Sequence, residues 1–504
     1  MSKVYLIGAG PGDPGLLTVK AREILEKADV VVYDYLANKV FLNYCRDQAE
    51  IIYVGKQGGD HTVPQDKINE LLVDKASQGL VVARLKGGDP YIFGRGAEEA
   101  QELLEAGMDF EVVPGVTSAV AAPAYAGIPL THRKYASSVS FITGHEDPGK
   151  PESSHNWQSL ASGTSTLVFF MGVKNLPHIS ARLIEHGMPR DMPAALVCWG
   201  TTCRHRSLVS TIKDIPEEAV KQNFSPPSLL VVGEVVRLRD ELNWFERLPL
   251  LGRGVVVTRA REQASGLLRD LTELGACCHE FPTIKIQPFK DYTLLKQSVL
   301  ELEGYDWIVF TSVNGVRFFW KQLRSMNLDA RHLGTRKVAA IGPATALALE
   351  KRGIFADFVP EKYVAESVVQ GLLRLGVKDS RVLIPRARVA REVLPEELKK
   401  AGARVDVVPV YETVLAQQDG QNILEGLEKG EIHYVTFTSS STVDNFLTLV
   451  TPESLEPYVH QGLKLACIGP VTAATLEKHG LQASIMPEDY TIPGLIKALI
   501  QDCT

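Results

Sequence analysis

At 504 residues the chain is long enough for three or four domains of ordinary size, and a composition 45% hydrophobic and 23% charged is that of a globular protein able to bury substantial cores. The formal charge of −6 argues against a general nucleic-acid binder, which carries a basic excess, and no apolar run approaches the roughly 18 residues a membrane-spanning helix needs. Seven scattered cysteines without a Cys-x-x-Cys pair give no sign of a metal site and fit thiols kept reduced in a cytosol, so a soluble cytoplasmic protein is expected.

The chain opens on a short apolar strand, Val4 to Ile7, running straight into the turn Gly8-Ala9-Gly10-Pro11-Gly12-Asp13, which is not the pattern of a cleavable leader. Val30 to Tyr33, Val81 to Leu85 and Val112-Val113 read as further strands. Helical patterns separate them: one has Pro64 in its first turn and Gly79 after its end, and another, Arg95 to Ala106, stops at Gly107. Such alternation implies a mostly parallel sheet. A second set of strands follows Gly115, around Ser138 to Thr143, Thr166 to Met171, Ala194 to Cys198 and Leu229 to Val232. Two α/β lobes therefore fill residues 1 to about 245, and Asn243 to Gly254, with Pro249, Gly252 and Gly254, reads as a junction.

Asp34 ends a later strand at about the distance of a ribose-binding acid, so the glycine turn first invites a dinucleotide reading. The details oppose it. The third glycine is misplaced, Pro11 removes an amide donor, and Asp13 would repel a pyrophosphate. A loop offering carbonyls and a carboxylate suits a positively charged ligand instead. Leu85-Lys86-Gly87-Gly88-Asp89-Pro90-Tyr91-Ile92-Phe93-Gly94-Arg95-Gly96 repeats the theme at another strand end, with glycines that admit close backbone approach and Asp89 supplying charge. The sulfonium and amino acid moiety of S-adenosylmethionine would fit; the alternative is a pair of ordinary strand-to-helix turns.

With Val31-Val32-Tyr33-Asp34, Val54-Gly55-Lys56, Val113-Pro114-Gly115-Val116-Thr117-Ser118, Gly127 to Arg133 and Thr143-Gly144-His145, these segments resemble uroporphyrinogen-III C-methyltransferase, in order over residues 2 to about 245. The resemblance implies a two-lobed tetrapyrrole methyltransferase fold that folds S-adenosylmethionine into the cleft between its lobes. It implies two successive methylations of uroporphyrinogen III, through precorrin-1 to precorrin-2. By position it implies Pro11, Gly87, Gly88, Asp89, Ile92, Thr117, Ser118, Met171 and Gly200 as cofactor contacts, with Asp34 as proton acceptor and Lys56 as proton donor. Tyr91, Ser118 and Cys198-Trp199 depart from the residues common in that family.

An electron-rich pyrrole carbon attacks a sulfonium methyl in line, so the main task is alignment, with a base needed only to clear the proton afterwards. Asp34 stands at the carboxyl end of a parallel strand, where such sheets place their sites; a turn or cap residue is the plain alternative. Lys56 could equally bind a substrate carboxylate. Because the substrate carries eight carboxylates, cations are required, and Arg84, Lys86, Arg95, His132, Arg133 and Lys134 are available, Arg95 and Arg133 foremost.

From Arg253 to Thr504 the chain repeats itself without a gap: Arg259 recurs as Arg386, Phe310-Thr311-Ser312 as Phe437-Thr438-Ser439, and Ile341-Gly342-Pro343 as Ile468-Gly469-Pro470, each 127 residues on. A period this long is a duplicated domain rather than a solenoid. No nucleophile motif, metal spacing or acid pair appears in it. What recurs is hydroxylic, Ser312 with Ser439 and Thr345 with Thr472, at helix starts that could seat carboxylates or serve only as caps.

This half resembles uroporphyrinogen-III synthase over residues 252 to 504, through Val410-Tyr411-Glu412-Thr413, Phe437-Thr438-Ser439 and Ala466 to Ala473. The resemblance implies two flavodoxin-like parallel α/β lobes, interleaved so that about 252 to 286 joins 414 to 504 while 287 to 413 forms the other. It implies closure of hydroxymethylbilane with inversion of the last ring, by loss of the hydroxyl, attack to a spiro intermediate, fragmentation and reclosure. Tyr411 is the candidate to assist hydroxyl departure, and Ser312, Thr345, Ser439, Lys464 and Thr472 are candidate carboxylate contacts.

The expectation is an α/β enzyme with two consecutive activities on small tetrapyrroles, S-adenosylmethionine as cofactor, no metal, no nucleic-acid or membrane partner, and a homodimer through the methyltransferase half. The rival is a methyltransferase of the same fold acting on another substrate, with a noncatalytic tetrapyrrole-binding module behind it.

Overall fold

The computed structural model describes residues 2–55, 63–145, 155–259, 261–361, 365–416 and 418–503. The chain divides into two compact units, one of residues 1–255 with 269–278 and 499–504, the other of 256–268 with 279–498. In the first unit, β1 (Lys3–Gly8), β2 (Val30–Tyr33), β3 (Glu50–Tyr53), β4 (Val81–Lys86) and β5 (Phe110–Val113) form an all-parallel sheet in the order β3-β2-β4-β1-β5. Side chains of successive strand residues alternate between faces. Val4, Val32 and Val82 pack with Leu72 and Leu103 on one side; Ile7, Val31 and Leu85 pack with Leu25 and Phe41 on the other. Burial on both faces is why these strands are continuous apolar runs. The helix Gln65–Ser77 takes Pro64 as its N-cap residue, one position before the first turn, and Gly96–Glu105 ends before Gly107.

The second sheet contains β6 (Val139–Thr143), β7 (Thr166–Phe170), β8 (Pro193–Cys198), β9 (Arg206–Thr211) and β10 (Ser228–Val232), ordered β6-β7-β10-β8-β9. Here only β6 and β7 are parallel; β10 runs antiparallel to both of its neighbours, as β9 does to β8. The seven residues from Trp199 to His205 are too few for a crossover helix, so β9 must return beside β8 in the opposite sense.

The repeated half forms two sheets. One holds β11 (Gly254–Val257), β12 (Cys277–Glu280), β18 (Tyr434–Phe437) and β19 (Lys464–Cys467), ordered β12-β11-β18-β19. The other holds β13 (Ile284–Pro288), β14 (Trp307–Phe310), β15 (Lys337–Ala340), β16 (Arg381–Ala387) and β17 (Arg404–Leu415), ordered β13-β17-β16-β14-β15. The 127-residue offset carries β14 onto β18 and β15 onto β19 residue for residue. It also carries β13 onto the last five residues of β17, and those two segments pair antiparallel, Ile284 with Leu415 through Pro288 with Tyr411. The central pair, Ile286 with Thr413, joins a residue to its own repeat equivalent, so the duplication closes on a local two-fold axis there.

The expectation that every cysteine stays a thiol fails at one pair: Cys203 and Cys277 form a disulfide with Cα atoms 5.1 Å apart. Their 74-residue separation carries no spacing signal, and only the fold brings them together. Among the described residues no helix is long and apolar enough to cross a membrane.

Candidate functional site

Because β1, β2, β4 and β5 are parallel, the loops after them emerge at one edge of the sheet. The loop after β1 and the loop after β4 are tied by two backbone hydrogen bonds: Gly10 N–H donates to Gly88 O (3.1 Å) and Gly88 N–H to Gly10 O (2.7 Å). A Cβ on Gly8 would stand 2.7 Å from Gly88 O, and one on Gly115 would stand 2.7 Å from Gly8 Cα, so the three loops can meet only as glycines. Thr117 caps the following helix, Ser118–Tyr125, accepting from Ala119 N–H.

Since β10 is antiparallel to both β7 and β8, those two strands share a direction, and Met171 and Gly200 follow them at the same edge. The second lobe meets the first there. Asp13 N–H donates to Thr201 Oγ1 (3.1 Å), Tyr35 stands edge-on to Trp199 with ring centroids 5.9 Å apart, and Phe93 packs on Phe170 at 4.8 Å. Gly200 lies so close to Ala122 that any Cβ would overlap it. The segments bearing Pro11, Gly87, Gly88, Asp89, Ile92, Thr117, Ser118, Met171 and Gly200 are thus gathered around one cleft. Its mouth is apolar, with Tyr35, Tyr91, Ile92, Phe93 and Met171 exposed.

Backbone strain concentrates at this cleft. Among the described residues, eight non-glycine residues have positive φ. Asn223, Asn327 and Asp379 are of types that tolerate it, whereas Phe93, Arg95, Met171, Trp199 and Thr201 all lie in the loops around the cleft. Sequence reasoning missed Phe93, Trp199 and Thr201 as cleft residues; their left-handed backbone is not legible in residue type, and the only signal was the unusual tryptophan before Gly200.

The loop carboxylates do different work from that expected of them. Asp13 Oδ1 accepts from Gly15 N–H (2.7 Å) and Oδ2 from the Tyr125 hydroxyl, which burial, and then this bond, push above its usual range. Asp89 accepts from Tyr91 N–H (2.8 Å) and Gly115 N–H (3.0 Å). Both carboxylates pin loops, so what the loops offer a ligand is largely backbone and space.

Arg84 and Lys86 are corrected as substrate cations: at 3% and 4% exposure they lie beneath the sheet edge. Both donate to Glu99 Oε1, at 3.2 and 2.6 Å, and Arg84 also reaches Asp34 Oδ2 at 3.3 Å. Burial, and then the charge of Arg84, hold the Lys86 ammonium below its ordinary pKa. Asp34, with a side chain 27% exposed, follows directly on β2 and also accepts from Leu36 N–H, the turn bond the plain alternative predicts. Arg95 is exposed and paired with Glu98, while Arg133 and Lys134 are exposed beside the half-buried His132. Lys56 lies outside the described residues.

In the repeated half, Ser312 and Tyr411 are brought together, their hydroxyls 3.2 Å apart, with Tyr411 buried and stacked on Phe318. Ser312 and Ser439 are N-caps of the helices after β14 and β18, with the same extended backbone, φ −165° and −166°. Thr345 and Thr472 sit in the helices after β15 and β19 and are each 4% exposed, so little of either hydroxyl could meet a substrate. Lys464 is a correction: it begins β19, at the opposite end of that strand from Thr472 and, β18 and β19 being parallel, at the opposite sheet edge from Ser439. Four strand residues separate the two edges by about 10 Å, a boundary the apolar run Leu465 to Ile468 does not mark.

Residues 3–216 match the model of the tetrapyrrole (corrin/porphyrin) methylases, and residues 265–497 match that of uroporphyrinogen-III synthase HemD. The porphyrin biosynthesis protein HemD of Ruminiclostridium josui is 38% identical over 498 residues, covering 99% of this chain and 97% of its own. A uroporphyrinogen-III C-methyltransferase of Bacillus subtilis is 50% identical over 246 residues, 49% of this chain and 95% of its own. The siroheme synthase of Pseudomonas entomophila is 54% identical over 244 residues, 48% of this chain and 52% of its own. Over almost its whole length, then, the chain belongs to the family of the porphyrin biosynthesis protein HemD, in which a tetrapyrrole methylase portion precedes a uroporphyrinogen-III synthase portion.

Proposed function

We propose that residues 252–504 close hydroxymethylbilane to uroporphyrinogen III with inversion of its last ring, and that residues 1–245 methylate the product twice, with S-adenosylmethionine, to precorrin-2. The observation that carries this reading is the meeting of glycine-lined loops from two sheets at one cleft, in a chain whose near full-length relative is named for porphyrin biosynthesis. The cleft fits the cofactor: Gly88 leaves open space where a side chain would stand, and Gly115 and Gly200 let the surrounding loops close up with backbone groups exposed to the ligand. When bound, S-adenosylmethionine supplies a methyl group on a sulfonium. The loops after β1, β4, β5, β7 and β8 would hold it, through the segments of Pro11, Gly87 to Ile92, Thr117 and Ser118, Met171 and Gly200. The exposed apolar mouth would shed water from a tetrapyrrole face while Arg95 and Arg133 take its carboxylates. Asp34 would accept the ring proton once methylation has made it acidic, with Lys56 as donor.

In the synthase half the Tyr411 hydroxyl, beside that of Ser312, would help the substrate hydroxyl leave, and Ser439 with the N–H groups of the helix starts would hold carboxylates. Folding a flexible octa-acid into one productive shape is an entropic task suited to many such contacts. The assembly proposed is a cytoplasmic homodimer through the methyltransferase half, with no nucleic-acid partner, in keeping with the negative net charge. Purified protein given hydroxymethylbilane and S-adenosylmethionine without oxygen should yield precorrin-2. Accumulation of uroporphyrinogen III would refute the methyltransferase reading, and recovery of only uroporphyrinogen I, the product of unassisted closure, would refute the synthase reading.

A further inference from the structure

The end of β4 carries a costly arrangement that the proposed chemistry has not used. Strand alternation turns Val82, Arg84 and Lys86 toward the helices Gln65–Ser77 and Gly96–Glu105, and there the apolar pattern breaks into two buried cations facing the fully buried Glu99. Glu99 Oε1 collects three donors, from Arg84, Lys86 and Gln65, while its Oε2 has no partner among the described residues. Well-packed apolar side chains would fold as stably or better, so stability alone does not account for the cluster.

Arg84 is the member that reaches out of the cluster. Its Nε donates to Glu99, its Nη1 to Leu85 O at 3.1 Å, and its Nη2 to Asp34 Oδ2 at 3.3 Å. Two of the three bonds fix the planar guanidinium, leaving the third aimed at the one carboxylate of the group that is open to the cleft. Asp34 Oδ1 is held by Leu36 N–H, so the carboxylate is gripped on both oxygens and its orientation is set.

We infer that Arg84 is a positioning residue for methyl transfer, orienting Asp34 from beneath the sheet edge, with Glu99 as its buried counter-ion. The inference rests on the reading of Asp34 as proton acceptor. A lysine at 84 would keep the charge but could not make three divergent bonds in one plane. Its effect should therefore appear in turnover rather than in binding.

The test is a double-mutant cycle on the full-length protein, with kcat and KM for methylation of uroporphyrinogen III and calorimetric binding of S-adenosylhomocysteine. Asp34→Asn and Arg84→Lys should each lower kcat, the latter about tenfold, with KM and binding within twofold of the parent. In the double variant Arg84→Lys should add nothing to Asp34→Asn. Undiminished kcat in Asp34→Asn would overturn the reading of Asp34 and the inference with it. Undiminished kcat in Arg84→Lys alone, or losses that multiply in the double variant, would overturn the inference and leave the reading standing. Should Arg84→Lys not fold, Glu99→Gln takes its place; it loosens the grip on Arg84 Nε, so it should lower kcat non-additively with Asp34→Asn, and a parental kcat there would equally overturn the inference.

Discussion

Gly200→Ala tests whether the two lobes of the first unit meet where the cofactor is proposed to bind. The added Cβ would overlap the Cβ of Ala122 and stand 2.9 Å from its Cα, where ordinary contact begins at 3.4 Å. Ala122 is 2% exposed on the helix Ser118–Tyr125, so neither a rotamer change nor solvent relieves the overlap. The loop after β8 must retreat by roughly 1 Å to relieve the overlap of the two Cβ atoms, a kind of overpacking that costs about 1 to 3 kcal/mol. Displacement of that order at a reacting centre costs up to about 100-fold in rate. Thermal melting, S-adenosylhomocysteine titration and the methylation rate should all show the loss, while cyclisation of hydroxymethylbilane stays at the parental rate. Ala122→Gly removes one of the two overlapping atoms, so the double variant should be at least about 0.5 kcal/mol more stable than the two single effects predict. Parental methylation and binding in Gly200→Ala would refute this account of the cleft.

Asp89→Ala frees the loop 89–94 from Gly115 and from its own turn, and should abolish cofactor binding in calorimetry while leaving cyclisation intact; loss of both activities would indicate misfolding. Tyr411→Phe should slow cyclisation alone, and an unchanged rate would remove the hydroxyl from the mechanism. Glu246 gives a pH signature. Burial raises its pKa, but bonds from His205 and Ser207 and the charge of Arg239 outweigh this and hold it at about 2. A depressed folded pKa stabilises the fold above the unfolded value near 4.3 and loses that contribution as pH falls through about 2. The deficit of Glu246→Gln in denaturant melts should therefore be about 3 kcal/mol at pH 6 and shrink as the pH is lowered from 4 toward 2; a constant deficit would refute the assignment.

The central strands were legible because burial on both faces makes them continuous apolar runs. Within the first two sheets, the two strands that the pattern did not mark, β3 and β9, are both sheet edges, where half-exposure dilutes the apolar signal. The mixed order of the second sheet escaped because strand sequence records neither direction nor neighbour. At the cleft, glycines announced the loops, yet the partners of Asp13 and Asp89 are a tyrosine hydroxyl and backbone N–H groups up to 112 residues away, which no local spacing encodes. Arg84 and Lys86 read as surface cations because their partner, Glu99, arrives from a helix whose facing direction depends on packing.

The duplicated half shows how a symmetric scaffold can carry asymmetric chemistry. Its two-fold axis passes through the pair Ile286 and Thr413, and Ser312 and Ser439 keep the same cap backbone on either side. Tyr411 breaks the symmetry: its equivalent 127 residues earlier is Ile284, paired across the ladder with Leu415 rather than set against a serine hydroxyl. A reaction that inverts one ring of four must treat one end of its substrate differently from the other. Two matched sets of helix starts could grip the acid chains alike, and a single hydroxyl on one side of the axis would meet the one end of the substrate that carries the leaving hydroxyl.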